Sequence, residues 1–305
     1  MTHVTKYGAI DVGSNAIRLL VFTVTQIDGK PPKFKKTSLI RVPIRLGADV
    51  FTTGFMSEMN VNRMIDAMSA YRLLLKTHGV SRYRACATSA MREASNGSEV
   101  VERIKKATGI QIEIIDGEIE ADLIAATNFG KFISTEKTFL YVDVGGGSTE
   151  FTLYSQGRVI VSRSFKLGTV RILNDMVRES MWTQIESWIR EITAPYEKIH
   201  VIGSGGNINS IYNKSGKKIG KPLSYLFLSN YFERLKSMTY HDRIYELDMN
   251  QDRADVIIPA TKIYLSAMKW SRAKNIYVPK IGLADGMARR MHENATQGYS
   301  LSGLL

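Results

Sequence analysis

The chain has 305 residues, of which 44% are hydrophobic and 23% are charged, so it is long enough for two globular domains that each have a core. No apolar run approaches the ~20 residues of a membrane helix, and the N-terminus lacks the apolar segment of a signal peptide. A single cysteine, Cys86, excludes an internal disulfide. We therefore expect a cytoplasmic protein without a membrane partner. The formal net charge of +12 favours polyanionic partners such as nucleic acid, polyphosphate or a nucleotide, but no recognisable nucleic-acid motif accompanies it, and we expect no specific nucleic acid.

The first half of the chain predicts strands and helices in alternation. Apolar β-formers predict strands, and apolar residues on one face predict helices. Ser98 is the predicted N-cap of the second long helix, and Gly109 follows its end. In chain order we predict strands at 7–12, 17–26 and 38–46, a helix at 59–78, a strand with a helix start at 83–94, a helix at 98–108, a strand at 110–116 and a helix at 118–132.

The second half repeats the pattern of the opening. Predicted strands at 137–144, 149–155 and 158–168 follow the same order of strand, Asp-x-Gly turn, strand, turn and strand. Asp143-Val144-Gly145-Gly146-Gly147 aligns with Asp11-Val12-Gly13-Ser14-Asn15. An internal repeat of half the chain predicts two related lobes. We expect their glycine turns to face each other across a cleft and to hold phosphate there.

The segment YVDVGGGSTEF, residues 141–151, contains both an anion-binding and an anion-repelling element. Glycines at a turn allow backbone N–H groups to converge on one point, whereas Asp143 and Glu150 would repel an anion there. A bound divalent cation removes this conflict, because Mg²⁺ is held by one or two carboxylates together with substrate phosphates. By itself the segment would fit a β-hairpin with a Gly-rich turn about as well.

A third glycine loop supports the phosphate interpretation. It lies in VIGSGGNINSIY, residues 201–212, after a predicted strand at 198–202, and it opens a helix. The N-terminus of a helix offers unpaired N–H groups and a partial positive charge to an anion. Three such loops, two with aspartate at the same place, favour phosphate binding over three ordinary turns.

These motifs resemble those of the exopolyphosphatase and guanosine pentaphosphate phosphohydrolase (Ppx/GppA) family. The resemblance rests on AIDVGSNAIRLLVF, ATSAMREASN, IIDGEIEAD, VDVGGGSTEF and VIGSGGNINSI, in this order, and extends to QDRADVIIPATKIY and IGLADGMA. It implies an α/β fold of two ribonuclease-H-like (actin-like ATPase) lobes, with mixed sheets flanked by helices and the active site in the cleft between them. We expect an N-terminal lobe at 1–124 and a C-terminal lobe at 125–305, with the last helix packed back on the first lobe.

The resemblance also implies a set of site residues. Glu120 matches the family's catalytic glutamate, and Asp143 and Glu150 match its two further acidic residues. The implied metal is Mg²⁺ or Mn²⁺, with Asp143, Glu150 and Asp11 as ligands. The phosphate-binding residues carried over by the match are Gly13, Ser14, Asn15, Arg18, Arg92, Gly145, Gly146, Gly147, Ser148, Gly205, Gly206 and Asn207.

This chain departs from the family pattern at three places. The usual adjacent glutamates are separated as Glu118-Ile119-Glu120, so that either could be the base, and the register with Ala121 favours Glu120. Asn207 replaces a usual threonine, and the segment 283–286 reads LADG where arginine-glutamate-glycine is usual. Each site residue also has a simpler interpretation: Glu120 at a helix start favours the helix dipole, and Arg92 could pair with a local carboxylate.

The implied activity is the hydrolysis of a terminal phosphoanhydride. The polyanion is inorganic polyphosphate, with short chains preferred, or the 5′-triphosphate of guanosine pentaphosphate. A kinase of the same superfamily, a non-catalytic (p)ppGpp-binding member and an actin-like assembly protein are the alternatives. A homodimer is an expectation at the level of the family.

Overall fold

The computed structural model describes residues 2–127 and 137–297. These residues form two compact units, one made of residues 2–127 with 283–297 and the other of residues 137–282. None of the helices in these ranges combines the length and the apolar composition that are needed to cross a bilayer.

Residues 2–127 contain five strands and five helices. A long β-hairpin opens the unit, and helices follow each of the later strands. The elements are β1 (Thr2–Val12), β2 (Ile17–Ile27), β3 (Lys33–Val42), α1 (Leu46–Thr53), α2 (Glu58–Thr77), β4 (Arg82–Ala87), α3 (Ser89–Glu93), α4 (Gly97–Thr108), β5 (Glu113–Ile114) and α5 (Gly117–Ala125).

Residues 137–282 begin with a second set of three antiparallel strands and continue with most of the helices. The elements are β6 (Thr138–Val144), β7 (Thr149–Ser155), β8 (Arg158–Phe165), α6 (Thr169–Leu173), α7 (Glu179–Thr193), β9 (Ile199–Ser204), α8 (Gly206–Lys214), β10 (Leu223–Ser224), α9 (Tyr225–Ser237), α10 (Tyr240–Tyr245), α11 (Gln251–Ala254), α12 (Ile257–Trp270) and β11 (Asn275–Tyr277). A final helix, α13 (Leu283–Thr296), packs on β1, β4 and α5 and so belongs to the first unit.

The two sheets share one strand pattern. The first has the order β3-β2-β1-β4-β5, and the second has the order β10-β11-β9-β6-β7-β8. In each, the first strand of the hairpin pairs antiparallel with the second and parallel with a later strand, which is β4 for β1 and β9 for β6. The structure thus confirms the predicted mixed α/β architecture of two sheets flanked by helices.

Each unit has its own apolar core. In the first, Tyr7 and Phe22 of the sheet pack against Met287 and Met291 of α13. In the second, α12 is buried along most of its length against the sheet. Burial of such side chains stabilises a fold by about 1.5–3 kcal/mol each, so α13 contributes to the stability of the first unit although it is remote in sequence.

The structure corrects three details of the predicted elements. The third strand covers Lys33–Val42 and ends before Pro43, which has no N–H to donate to a ladder. Helix α4 begins at Gly97 with Asn96 at the N-cap, so Ser98 is not the cap. The strand predicted at 110–116 is paired only at Glu113 and Ile114, because the N–H groups of Ile110 and Gln111 donate to the side chains of Thr108 and Tyr83 and not to a ladder. The end of the helix predicted at 118–132 lies partly outside the described residues.

Candidate active site

The turn between β1 and β2 places an aspartate opposite an arginine. The turn is closed by Gly13 N–H, which donates to the carbonyl of Ala16 at 3.2 Å. Asp11 lies directly opposite Arg18 in the ladder, and Nη1 of Arg18 donates to Oδ2 of Asp11 at 3.3 Å. Burial raises the pKa of Asp11, and the charge of Arg18 opposes this rise.

The two residues at the tip of this turn are anchored by their carbonyl groups. Gly47 N–H donates to the carbonyl of Ser14 at 2.7 Å, and Arg45 N–H donates to that of Asn15 at 3.1 Å. The Ser14 hydroxyl also hydrogen-bonds to that of Ser89, at the start of α3, at 3.0 Å. Since the N–H of a trans peptide points opposite to its C=O, the N–H groups that follow Ser14 and Asn15 face away from α1.

Glu120 lies in the first turn of α5. Asp116 caps this helix by accepting from the N–H groups of Glu118 and Ile119. The side chain of Glu118 is exposed, whereas Oε2 of Glu120 is buried. Burial raises the pKa of the Cys86 thiol in β4 to about 12, with smaller contributions from the carboxylates of Glu113, Asp11 and Glu120. Glu120 is therefore within electrostatic reach of Cys86 in β4.

Arg92 braces the segment that leads to α5. Its Nη1 donates to the carbonyl of Ile115 at 2.6 Å, and Ile115 N–H donates to the carbonyl of Ala87 at the end of β4. The arginine thus links α3 to the loop that positions Glu120. Its predicted contact with phosphate stays a prediction.

The turn between β6 and β7 has the same geometry as the first turn, but it places two carboxylates side by side. Gly145 N–H donates to the carbonyl of Ser148 at 2.9 Å, and Asp143 lies directly opposite Glu150. Glu150 is only 3% exposed. Its Oε1 accepts from the hydroxyls of Ser148 at 2.7 Å and of Ser164 at 2.9 Å.

Helix α6 holds the three glycines of this turn by their carbonyl groups. The N–H groups of Thr169 and Val170 donate to the carbonyls of Gly145 and Gly146 at 3.0 and 2.9 Å, and Nε of Arg171 donates to that of Gly147 at 2.8 Å. These contacts turn the next three N–H groups, those of residues 146–148, away from α6. Successive backbone N–H groups on one side of a turn are donors of the kind that binds anions.

The third glycine loop packs against the end of β6. Gly205 has φ +109°, and a Cβ there would lie 2.9 Å from the Val144 carbonyl and 3.4 Å from Oδ1 of Asp143, so the loop depends on glycine. The hydroxyl of Tyr264 donates to the carbonyl of Ser204. Burial raises the pKa of Tyr264 well above its ordinary value, and the charge of Asp143 adds to this effect.

The side chain of Asn207 is engaged within the protein. It is buried at the start of α8, and its Oδ1 accepts from Nη1 of Arg253 at 3.3 Å. Helix α8 begins at Gly206 and has nine residues. Because Gly205 packs against Val144 and Asp143, the first N–H groups of α8 lie near the Asp143 end of β6.

The carboxylates of the second unit suit a divalent cation. Like charges directly opposite each other in a ladder are destabilising, and a cation between Asp143 and Glu150 would remove that repulsion. Over residues 2–127 and 137–297 there is no group of three or more His, Cys, Asp or Glu side chains that could hold a metal. Two oxygen ligands fit Mg²⁺, which keeps several waters and takes further ligands from substrate phosphates.

The predicted residues thus gather in two places. In the first unit, Asp11, Arg18, Glu120 and the turn 13–15 lie around the ends of β1 and β4. In the second, Asp143 and Glu150 lie between the turn 145–148 and the loop 205–207. Sequence reasoning missed the side chains that brace them, which are Ser89, Ser164, Arg171, Tyr141, Arg253 and Tyr264.

Comparison with known proteins identifies the family. The profile of the Ppx/GppA phosphatase family matches residues 24–295. Exopolyphosphatase 1 of Mycobacterium tuberculosis is 22% identical over 97% of this chain and 91% of its own length, and the guanosine-5′-triphosphate,3′-diphosphate pyrophosphatase of Aliivibrio fischeri is 31% identical over 58% of this chain and 35% of its own length. The crystal structure of the Aquifex aeolicus Ppx/GppA family member superposes with a TM-score of 0.74 at 25% identity, over 98% of this chain and all of that one. With its two glycine turns, its carboxylates and its sheet topology in the same order, the chain belongs to the Ppx/GppA phosphatase family.

Proposed function

We propose that this protein is a cytoplasmic, Mg²⁺- or Mn²⁺-dependent hydrolase that releases terminal phosphate from inorganic polyphosphate, with short chains preferred. The observation that carries the proposal is the arrangement in the second unit. Two carboxylates lie side by side between a row of backbone donors at residues 146–148 and the glycine loop at 205–206. The exopolyphosphatases among the relatives of the chain support the same reaction class.

The chemistry follows from the charges of the substrate. Water attacks the terminal phosphorus in line with the bridging oxygen, the bond to that oxygen breaks, and the shortened chain leaves as a phosphate anion. Positioning and charge stabilisation supply most of the catalysis in such a transfer. The divalent cation, held by Asp143 and Glu150, would supply positive charge to the phosphate oxygens.

Glu120 is the proposed base that accepts the proton of the attacking water. Its Oε2 is buried, whereas the neighbouring Glu118 is exposed, so Glu120 is the glutamate of the two whose carboxylate is enclosed by the protein. Arg18 and the N–H groups of the glycine turns would hold the non-bridging oxygens of the phosphate.

A second substrate is guanosine pentaphosphate, whose 5′-terminal phosphate has the same chemistry. The 31% identity with the Aliivibrio fischeri protein favours this alternative. A member that binds (p)ppGpp without turnover is the third outcome, and phosphate release combined with a measurement of pppGpp binding separates all three.

The test is Mg²⁺-dependent phosphate release from short polyphosphate, long polyphosphate, pppGpp and ATP. Wild type, Glu120→Gln and the matched control Glu118→Gln are compared. We expect Glu120→Gln to lower kcat by about 10²–10⁴, the usual contribution of a general base, and Glu118→Gln to keep wild-type activity. Both variants should unfold at the wild-type denaturant concentration.

Each outcome identifies one assignment. If phosphate is released from pppGpp alone, the substrate is pppGpp and not polyphosphate. A large loss in Glu118→Gln with full activity in Glu120→Gln would exchange their roles. If wild type releases phosphate from none of the four compounds but binds pppGpp, the protein is a nucleotide sensor.

A further inference from the structure

Tyr141 lies beside Asp143 on the same face of β6. Residues two apart on a strand point to the same side of the sheet. Tyr141 is 1% exposed, and its hydroxyl donates to Oδ2 of Asp143 at 3.3 Å. A hydroxyl buried this deeply destabilises a fold unless it is hydrogen-bonded. A phenylalanine would fill the same space without that requirement.

The same hydroxyl connects Asp143 to the third glycine loop. The side chain of Ser204, which lies opposite Asp143 in the ladder between β6 and β9, is close to the same hydroxyl. Ser204 in turn donates to the carbonyl of Ile281 at 2.9 Å and precedes Gly205. Tyr141 therefore joins the strand that carries the carboxylate to the strand that carries the loop.

This contact fixes the direction of the Asp143 carboxylate. With Oδ2 held by Tyr141, Oδ1 is directed to Gly205, where even a Cβ would lie only 3.4 Å from it. Rotation of the carboxylate by half a turn about its Cβ–Cγ bond exchanges the two oxygens, but intermediate angles would break the hydrogen bond. The carboxylate plane is thus set by the tyrosine.

The first unit offers an internal comparison. The residue at the place of Tyr141, two positions before the aspartate of the turn, is Ala9. There the aspartate is held by Arg18 instead. The second unit has Glu150 in place of the arginine. There the hydroxyl of Tyr141, which is a neutral donor, orients the carboxylate of Asp143 without neutralising it.

We propose that Tyr141 is a positioning residue, whose hydroxyl holds the Asp143 carboxylate in the orientation that binds the divalent cation. The inference rests on the proposed function, because it takes Asp143 as a ligand of that cation. It gives a role to Tyr141, which lies in the segment YVDVGGGSTEF but to which the family resemblance assigns none.

The test is Mn²⁺ binding to the metal-free protein without substrate, followed by the decrease of the free Mn²⁺ signal in electron paramagnetic resonance. Wild type is compared with Tyr141→Phe, Asp143→Asn and the control Tyr212→Phe. Tyr212 is also buried in the second unit, but its hydroxyl donates to the carbonyls of Lys218 and Lys221. We expect the Kd for Mn²⁺ to rise about three- to tenfold in Tyr141→Phe, as the loss of one hydrogen bond of ordinary net strength implies. The Kd should rise far more in Asp143→Asn and stay unchanged in Tyr212→Phe.

A second readout separates positioning from packing. In the hydrolysis assay, the Mg²⁺ concentration for half-maximal rate should rise in Tyr141→Phe by the same factor, while kcat recovers at saturating Mg²⁺. A Tyr141→Phe variant that melts at a lower temperature but binds Mn²⁺ as wild type does would overturn the inference, as would an Asp143→Asn variant with wild-type Mn²⁺ affinity. Weakened Mn²⁺ binding in Tyr141→Phe, in a protein that hydrolyses none of the phosphate compounds, would uphold the inference and remove the proposed function.

Discussion

Replacement of Gly286 by alanine should disturb the helix that carries Glu120. Gly286 lies in the first turn of α13 at its contact with α5. A Cβ at this position would lie 1.7 Å from the carbonyl oxygen of Leu123, which is one turn of α5 beyond Glu120. Real Cβ atoms are essentially never closer than 3.0 Å to such an atom, so the helices must separate by about 1.3 Å.

The separation has two measurable consequences. Overpacking of this kind destabilises a protein by about 1–3 kcal/mol, and the better helix propensity of alanine offsets about 1 kcal/mol of that. A displacement of about 1 Å at a catalytic group lowers the rate about 10²-fold. We therefore expect Gly286→Ala to raise the activation free energy of hydrolysis by more than it lowers the free energy of unfolding.

The assay is urea unfolding together with steady-state phosphate release at saturating Mg²⁺. The control is Gly282→Ala, because a Cβ at Gly282 would lie 3.7 Å from the Ser204 hydroxyl, an ordinary contact, and its backbone is outside the left-handed region. Wild-type kcat and stability in Gly286→Ala would refute the reasoning. Equal losses in both glycine variants would show that the contact with α5 is not the cause.

Three further predictions concern single groups. Arg171→Met removes the donor to the Gly147 carbonyl and should raise KM for the phosphate substrate about tenfold, with Arg171→Lys intermediate; an unchanged KM in steady-state kinetics would contradict the role of α6 in aligning the turn. Burial raises the pKa of Asp11 above 3.8 in the folded state, so the contribution of Asp11 to the free energy of unfolding is full below that pH and is lost as the pH rises through the folded pKa. Asp11→Asn should therefore unfold at a higher urea concentration than wild type at pH 7.5 without metal. The difference in urea concentration should disappear near pH 4. Burial raises the pKa of Cys86 to about 12, so a disulfide reagent at pH 8 should modify it only after unfolding, and rapid modification of the native protein would contradict the buried position.

The repeated hairpins were predictable because each is specified locally. Apolar strands flank a four-residue turn in both copies, and the two aspartates stand at the same distance from the turn. A glycine directly after Asp-x allows the tight return of the chain. Local signals also predicted α2: the helix expected at 59–78 is observed at Glu58–Thr77.

The braces of the site were not predictable, because each comes from a distant part of the sequence. Ser164 reaches Glu150 from the next strand, Ser89 reaches Ser14 across 75 residues, and Arg253 reaches Asn207 across 46. Ser89 and Arg253 lie within motifs of the family resemblance, but a motif does not show which distant residue its side chains contact. Tyr141 is the exception, since the alternation of a strand places it on the face of Asp143, and that signal was present in the sequence.

The difference between the two hairpins supports the proposal of a cation site in the second. Both turns place an aspartate directly opposite a residue seven positions later, which is Arg18 in the first copy and Glu150 in the second. The first pair neutralises itself through the contact of 3.3 Å between Arg18 and Asp11, whereas the second doubles its negative charge. Glu150 is almost completely buried and is held by two serine hydroxyls, which are neutral donors. Under the proposed function, the charge of residue 150 therefore distinguishes the two turns: Arg18 supplies the positive charge in the first, and a divalent cation would supply it in the second. The prediction that Asp11 also binds the metal stays a prediction, and the pairing with Arg18 argues that its first role is to orient the arginine.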